Sequence, residues 1–117
     1  EWNAKGYKVY DFGREITAFP RFSLTAGKEG MEIILGTGER LDSDSIPIMK
    51  DNVDYTDIYI TKEGIQSWQP LTWRGYRYCA IKENAGVSID NVSAEFRSFP
   101  VKRGGSFSCS DKELNQI

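Results

Sequence analysis

Residues 72–82, TWRGYRYCAIK, form the stretch that best indicates the fold. In a β-strand, successive side chains point to opposite faces. Here the two faces would be Tyr76, Tyr78 and Ala80 against Arg77, Cys79 and Ile81. Apolar or aromatic residues therefore fall on both faces. The stretch predicts a strand that is covered on both sides by other parts of the protein.

The neighbouring segments alternate apolar and polar residues with the same period of two. Residues 19–25 place Phe22 and Leu24 on one face, and residues 31–37 do the same with Met31, Ile33 and Leu35. Further strands are predicted at 7–13, 56–61, 65–69 and 87–100. We expect the glycine-containing turn at 26–30 to join its flanking strands as a hairpin, and residues 56–61 to pair with 65–69. Residues 38–55 have no steady period and predict a long loop that covers something, with a short strand inside it.

About eight short strands at roughly ten-residue spacing predict an all-β fold, an antiparallel β-sandwich of the jelly-roll kind. We assign residues 1–103 to this sandwich and residues 104–117 to a linker and the truncated start of a helix. An apolar content of 39% in 117 residues is enough for one hydrophobic core.

The segment 110–117 has the signals of a helix start. Ser110 and Glu113 have the spacing of a capping box, and Asp111 adds a negative charge where the helix dipole favours one. Leu114 and Ile117 would begin an apolar stripe, but only about two turns fit, and isolated short helices are marginal in water. We expect this helix to belong to a further part of a longer protein.

Composition excludes several functional classes. The formal net charge is −2, from 15 basic and 17 acidic residues, so no basic footprint for nucleic acid or an anionic membrane is present. No apolar stretch approaches the ~20 residues that span a bilayer. The sequence contains no His, which removes the commonest general base and the commonest transition-metal ligand. The two cysteines, Cys79 and Cys109, are predicted to be free thiols.

The aromatic stretch 67–78 offers a candidate carbohydrate site. Trp68, Trp73 and Tyr76, with Arg74 beside them, could stack on a sugar ring and bond its hydroxyls. The same aromatic side chains could instead fill the core or an interface between domains, where each buries a large apolar area. Both interpretations remain open from the residues alone.

Acidic residues offer two weaker candidates. The loop at 42–57 is rich in aspartates, which makes a calcium site conceivable, but it lacks the spacing of an EF-hand. Carboxylate pairs such as Glu39 with Asp42, or Asp54 with Asp57, could serve glycoside hydrolysis only at a defined separation. We predict no metal site, no cofactor and no catalytic residue in this chain.

Five segments, in order, resemble the concanavalin-like β-sandwich domain that precedes the catalytic barrel of bacterial α-L-rhamnosidases. They are YDFGREITAFPRFSL (10–24), GERLD (38–42), DYTDIYI (54–60), WQPLTWRGYRYCAI (68–81) and GGSFSCSDKELNQI (104–117). The chain departs from the family pattern at Glu15, where Asn is usual, at Trp73, where Tyr or Phe is usual, and at Arg74, where His is usual.

The resemblance implies a non-catalytic accessory domain of an inverting glycoside hydrolase. It implies that the catalytic acid and base lie in an (α/α)6 barrel outside this chain, which would be the domain's partner. The parent would be periplasmic or secreted and would act on rhamnose-containing carbohydrate. On this basis Phe107, Leu114 and Ile117 are expected to contact the barrel. An independent carbohydrate-binding module that uses Trp68, Trp73 and Tyr76 is the alternative.

Overall fold

The computed structural model describes residues 6–82, 84–102 and 104–116, and of residue 51 the backbone. In these residues there are eight strands and one 3-10 turn. They are β1 (Tyr7–Ala26), β2 (Glu32–Gly38), β3 (Lys50–Asp51), β4 (Val53–Asp54), β5 (Thr56–Ile60), β6 (Gly64–Trp68), β7 (Arg74–Lys82), β8 (Val87–Phe96) and the turn Leu114–Gln116. The all-β prediction is confirmed.

The long strand β1 organises the antiparallel sheet. Its first half pairs with β7, from Tyr7 opposite Lys82 to Ala18 opposite Arg74. Its second half has two neighbours, β6 and β8. β2 lies between β7 and β5, which completes a six-stranded sheet, and β3 and β4 form a separate small ladder. All of these pairings are antiparallel.

β1 passes through both layers of the fold. A bulge interrupts its pairing with β7 between Asp11 and Ile16. Gly13 within this bulge has φ of 78°, a left-handed conformation that glycine adopts without strain. Further along, the ring of Phe22 lies edge-on to the ring of Tyr59 in β5, 5.7 Å between centroids. The layer of β6, β1 and β8 therefore faces the layer of β7, β2 and β5 across the core.

The two predicted strand pairings are wrong. β1 and β2, which flank the turn at 26–30, do not pair, and neither do β5 and β6. The two strands of each pair lie in opposite layers instead. Each strand has one apolar face, and in this arrangement both apolar faces are buried against each other in the core. Thr61 stabilises the turn that leads from β1 to β2, since its hydroxyl accepts a hydrogen bond from Met31 N and donates to Lys28 O.

The predicted strand patterns agree with the core. Its buried residues include Phe22, Leu24, Met31, Ile33, Leu35, Cys79 and Ile81. In β7 the consecutive residues Cys79, Ala80 and Ile81 have no exposed surface, which confirms a strand covered on both sides. The outer cover is the predicted long loop. Its Met49 lies over Gly36 of β2, and its Ile46 is 4% exposed.

The predicted helix start is not formed as a helix. Only the 3-10 turn Leu114–Gln116 is present, and its cap is Asp111 rather than Ser110. The Asp111 carboxylate accepts from Glu113 N at 2.9 Å and Leu114 N at 3.3 Å. The domain boundary at residue 103 stays a prediction. Among the residues described, no helix has the length and apolar character to cross a membrane.

Candidate functional site

The predicted sugar platform is divided between the core and the surface. Trp68 is half-buried, and its ring lies 5.5 Å from Phe22 and 5.3 Å from Tyr59 between centroids. Tyr76 has no exposed surface, and its ring packs edge-on against Phe12 at 5.6 Å. Trp73, which immediately precedes β7, is 58% exposed. Trp73 is therefore the member of this set with a free ring surface.

Arg74 points its guanidinium into the protein. Its Nη2 lies 2.8 Å from both carboxylate oxygens of Asp57, and its Nη1 donates to Tyr55 O at 3.0 Å. The Arg74 side chain is only 12% exposed. The pair joins the start of β7 to β5, so the guanidinium is used inside the fold. Sugar binding by Trp68, Trp73, Arg74 and Tyr76 stays a prediction.

The core also contains buried hydroxyl groups. Among the described residues, Thr37 Oγ1 and Tyr76 OH are buried without a hydrogen-bond partner, whereas Asp57 Oδ2 has the Arg74 guanidinium as its ion-pair partner. Burial raises the pKa of the Tyr76 hydroxyl well above its usual range. Burial also raises the pKa of the Cys79 thiol to about 12. Cys79 is thus a neutral thiol at physiological pH and a poor nucleophile. Both cysteines are free, as predicted.

The carboxylates proposed as acid–base pairs have structural partners. Asp42 Oδ1 accepts from Asp44 N and Ile46 N, both at 2.9 Å, and so shapes its own loop. Asp54 accepts from the Thr56 hydroxyl and pairs with Lys50. Hydrogen bonds from Thr56 and Lys50 lower the pKa of Asp54 to about 2.

In the part of the chain that the structure describes, no group of three or more His, Cys, Asp or Glu side chains could hold a metal ion.

Sequence reasoning missed a further acidic pair, Glu15 with Glu39, on the surface. A Cβ built on Gly75 would lie 3.7 Å from Glu15 Oε1 and 3.9 Å from Glu39 Oε1. Glu39 also lines a cleft of about 140 Å³, together with Arg40 and Tyr55 among others. Glu15 lies in the bulge of β1 and Glu39 directly follows β2, so no local spacing could have indicated the pair.

Two of the predicted interdomain residues, Phe107 and Leu114, lie on an exposed C-terminal arm, which we define as residues 97–102 and 104–116. Phe107 is 71% exposed and Leu114 is 50% exposed, whereas Ile117 lies outside the described residues. The arm leaves the sandwich close to Trp73, because Ala18 pairs with both Arg74 and Phe96, the last residue of β8. Contact of these residues with another domain stays a prediction.

Comparisons with known proteins agree with this architecture. A family described as the bacterial alpha-L-rhamnosidase concanavalin-like domain matches residues 3–98. The GH78 family rhamnosidase of Bacillus sp. GL1 is 31% identical with a TM-score of 0.71, over 93% of this chain and 12% of that chain. The alpha-L-rhamnosidase from Dictyoglumus thermophilum is 28% identical with a TM-score of 0.73, over 95% of this chain and 13% of that chain.

No curated protein matches the chain. The chain spans only about an eighth of either rhamnosidase. The family match covers most of its residues and includes every strand of the sandwich. This chain therefore belongs to the bacterial alpha-L-rhamnosidase concanavalin-like domain family.

Proposed function

We propose that this chain is a non-catalytic accessory domain of an α-L-rhamnosidase-like glycoside hydrolase and braces the catalytic barrel of the same polypeptide. Family membership supports the proposal, as does the small share of each rhamnosidase that the chain covers. The parent would cleave terminal α-L-rhamnosides with inversion, through carboxylates outside this chain. We also propose that the parent is periplasmic or secreted, which cell fractionation would test.

The observation that carries the bracing role is the row of exposed apolar side chains along the C-terminal arm. Phe99 is 90% exposed, Val101 83% and Phe107 71%. Large exposed apolar groups in succession are typical of an interaction surface. At the base of the arm, Trp73 and Phe96 are 58% and 54% exposed and extend this surface onto the sandwich.

The carboxylates support a non-catalytic role. The candidate acids Asp42, Asp54 and Asp57 each have partners that hold the fold together. A general acid needs a raised pKa, whereas the pKa of Asp54 is lowered to about 2. We therefore expect the isolated chain to release no product from an aryl α-L-rhamnoside. Measurable turnover that persists in an Asp54→Asn variant would point to another acid, and any turnover at all would contradict a purely accessory role.

The bracing role is tested in the complete parent enzyme. Phe107→Asp and Leu114→Asp are expected to lower the thermal midpoint of the catalytic domain, because a charge at a packed apolar contact is costly. Ile65→Asp is the matched control. Ile65 is 86% exposed and lies on β6 opposite Thr25, at the far end of the sandwich from Trp73. Equal behaviour of the arm variants and the control would refute the bracing role.

The same domain would shape one wall of the substrate cleft if Trp73 reaches the barrel. Trp73→Ala would then raise KM in the parent enzyme with little change in its thermal midpoint. An unchanged KM would place Trp73 away from the substrate. Inversion itself is checked by NMR of the first sugar anomer that the parent releases.

A second candidate function is carbohydrate binding by the domain alone, and the exposure of Trp73 favours it. Trp73 precedes Gly75 by two residues, and Gly75 lines a cleft together with Glu39 and Tyr55. Aromatic faces beside carboxylates suit a sugar, since the ring stacks and the oxygens accept from hydroxyls. An NMR titration with L-rhamnose, with and without calcium, should give saturable shifts at Trp73 that Trp73→Ala removes. Flat spectra at millimolar sugar would exclude this function.

A further inference from the structure

The layer of β6, β1 and β8 has a polar cleft of about 280 Å³ on the side that faces away from the core. Five polar side chains line it, and we name them the serine cleft: Arg21, Ser23, Ser67, Asn91 and Ser93. Buried Phe22 and Leu24 alternate with the cleft residues of β1, so the cleft lies on the outer face of the strand. Its volume is near the lower end of the range for ligand pockets, about 300 Å³, which suits a single small ligand.

The strand register brings these side chains together in two rows. Ser23 is directly opposite Ser67 on β6 and Asn91 on β8, which makes one row across three strands. Arg21 is opposite Ser93 and makes the second row. Side chains that are directly opposite have Cβ atoms ~4.5–5.5 Å apart, and rows two residues apart are separated by ~7 Å along the strand. One small molecule can therefore contact both rows.

The guanidinium of Arg21 is unpaired. In the part of the chain that the structure describes, its side chain makes no ion pair and no hydrogen bond. Glu95 of β8 pairs instead with Arg97 at 2.6 Å. The other carboxylate of β8, Asp90, accepts from the Thr25 hydroxyl at 3.0 Å. Arg21 thus presents a planar fork of N–H donors to the cleft, a geometry that matches a carboxylate or a phosphate.

The other row adds groups that bind hydroxyls. Serine hydroxyls and the asparagine amide can each donate and accept, and over the described residues no hydrogen bond uses the side chains of Ser23, Ser67 or Asn91. A simple anion such as phosphate would contact the row of Arg21 and leave this row unused. A ligand with an anionic group at one end and hydroxyls at the other would use both rows. A sugar acid has this arrangement, because one pyranose ring separates its carboxylate from its distal hydroxyls.

We propose that the serine cleft binds a sugar acid of the uronate type. Its carboxylate pairs with Arg21, and its ring hydroxyls bond with Ser23, Ser67 and Asn91. The ligand differs from the neutral sugar considered for Trp73, because its recognition depends on charge. The inference concerns the outer face of the sandwich and is independent of the proposed accessory role.

An NMR titration of the chain at constant ionic strength tests the class of ligand. D-Glucuronate is expected to give saturable shifts at the backbone amides of the serine cleft. D-Glucose lacks the carboxylate and should bind about tenfold more weakly, since a hydrogen bond between charged groups is stronger than one between neutral groups. Inorganic phosphate should also bind more weakly than D-glucuronate, because it contacts one row.

Matched variants test the residues. Arg21→Gln should weaken D-glucuronate binding about tenfold, and Ser67→Ala about fivefold, as for the loss of a charged and of a neutral hydrogen bond. Arg14→Gln and Ser88→Ala are the controls and should bind like the wild type. Arg14 is another exposed arginine of β1, Ser88 is another exposed serine of β8, and neither lines the cleft. All four side chains are exposed, so each variant should keep the folded spectrum of the wild type.

Three outcomes would overturn the proposal. The first is the absence of saturable shifts in the serine cleft at millimolar D-glucuronate. The second is an equal loss of affinity in Arg21→Gln and Arg14→Gln, which would indicate a general effect of net charge. The third is phosphate binding as tight as that of D-glucuronate, which would make the cleft a site for anions in general.

Discussion

Replacement of Gly36 by Ala tests whether the loop at 39–55 packs on the outer face of the sheet. A Cβ at Gly36 would overlap Met49 Sδ and lie 2.8 Å from Met49 Cγ. Rotation of the terminal methyl group does not relieve this overlap, because two successive side-chain atoms are too close. The Met49 side chain must leave its position or the loop must lift from the sheet.

The expected loss of stability follows from the burial of Met49. Full burial of a methionine side chain contributes ~1.5–3 kcal/mol to stability. Met49 is half-buried, so displacing its side chain from the sheet should cost about 1 kcal/mol. Overpacking strain of ~1–3 kcal/mol is the alternative when the side chain stays. Gly36→Ala should therefore lower the unfolding free energy by about 1–3 kcal/mol. In urea this corresponds to a midpoint about 1 M lower, followed by tryptophan fluorescence.

Two further variants make the experiment decisive. Gly104→Ala is the matched control, because a Cβ there meets nothing within 4 Å. It should be neutral or slightly stabilising. The Gly36→Ala, Met49→Ala double variant should be no less stable than Met49→Ala alone, since the methionine that obstructs the new methyl group is gone. A Gly36→Ala variant as stable as the Gly104→Ala control would refute the packing of the loop on β2.

Two other measurements follow from single contacts. Phe22 is 1% exposed, and its ring contacts Tyr59 and Trp68. Phe22→Ala should therefore lower the unfolding free energy, measured in urea, by about 3–5 kcal/mol. A loss below ~1 kcal/mol would show that the two layers do not meet at Phe22. The hydrogen bond from Arg77 lowers the pKa of Asp11 from 3.8 to about 2, and Gly13 N adds to this effect. A lowered folded-state pKa stabilises the fold above the unfolded-state value, and this stabilisation is lost as pH falls to about 2. The stability advantage of the wild type over Asp11→Asn should therefore be constant above pH 5 and shrink between about pH 4 and 2; a constant difference down to pH 2 would contradict the ion pair.

The sequence predicted the inward faces of the strands well because that signal is local. Phe22 and Leu24 alternate with polar residues and are buried, and so are Ile33 and Leu35. The alternation follows directly from strand geometry. The sequence does not predict in the same way which strand pairs with which, because pairing depends on residues that are distant along the chain. An apolar face looks the same whether its neighbour in sequence lies beside it or across the core, so the two strand-pairing predictions were wrong.

Local reasoning also failed where one residue type serves two purposes. Gly13 was interpreted as the end of a strand, but it lies in a bulge within β1. Trp68 and Trp73 occur in the same aromatic stretch, yet one packs on Phe22 and the other is exposed. The Arg74–Asp57 pair joins residues on different strands, and no spacing within either segment could indicate it.

The length of β1 has a consequence for synthesis on the ribosome. Tyr7 pairs with Lys82, and Ala18 pairs with Phe96, so β1 is made long before most of its partners. At translation rates of ~5–20 residues per second, roughly 4–15 seconds separate the synthesis of Tyr7 from that of Lys82. During that interval the nascent chain has the edges of its longest strand unpaired and the apolar face of Phe22 uncovered. The order of synthesis, rather than the final stability, then sets how long this strand and its apolar face stay uncovered.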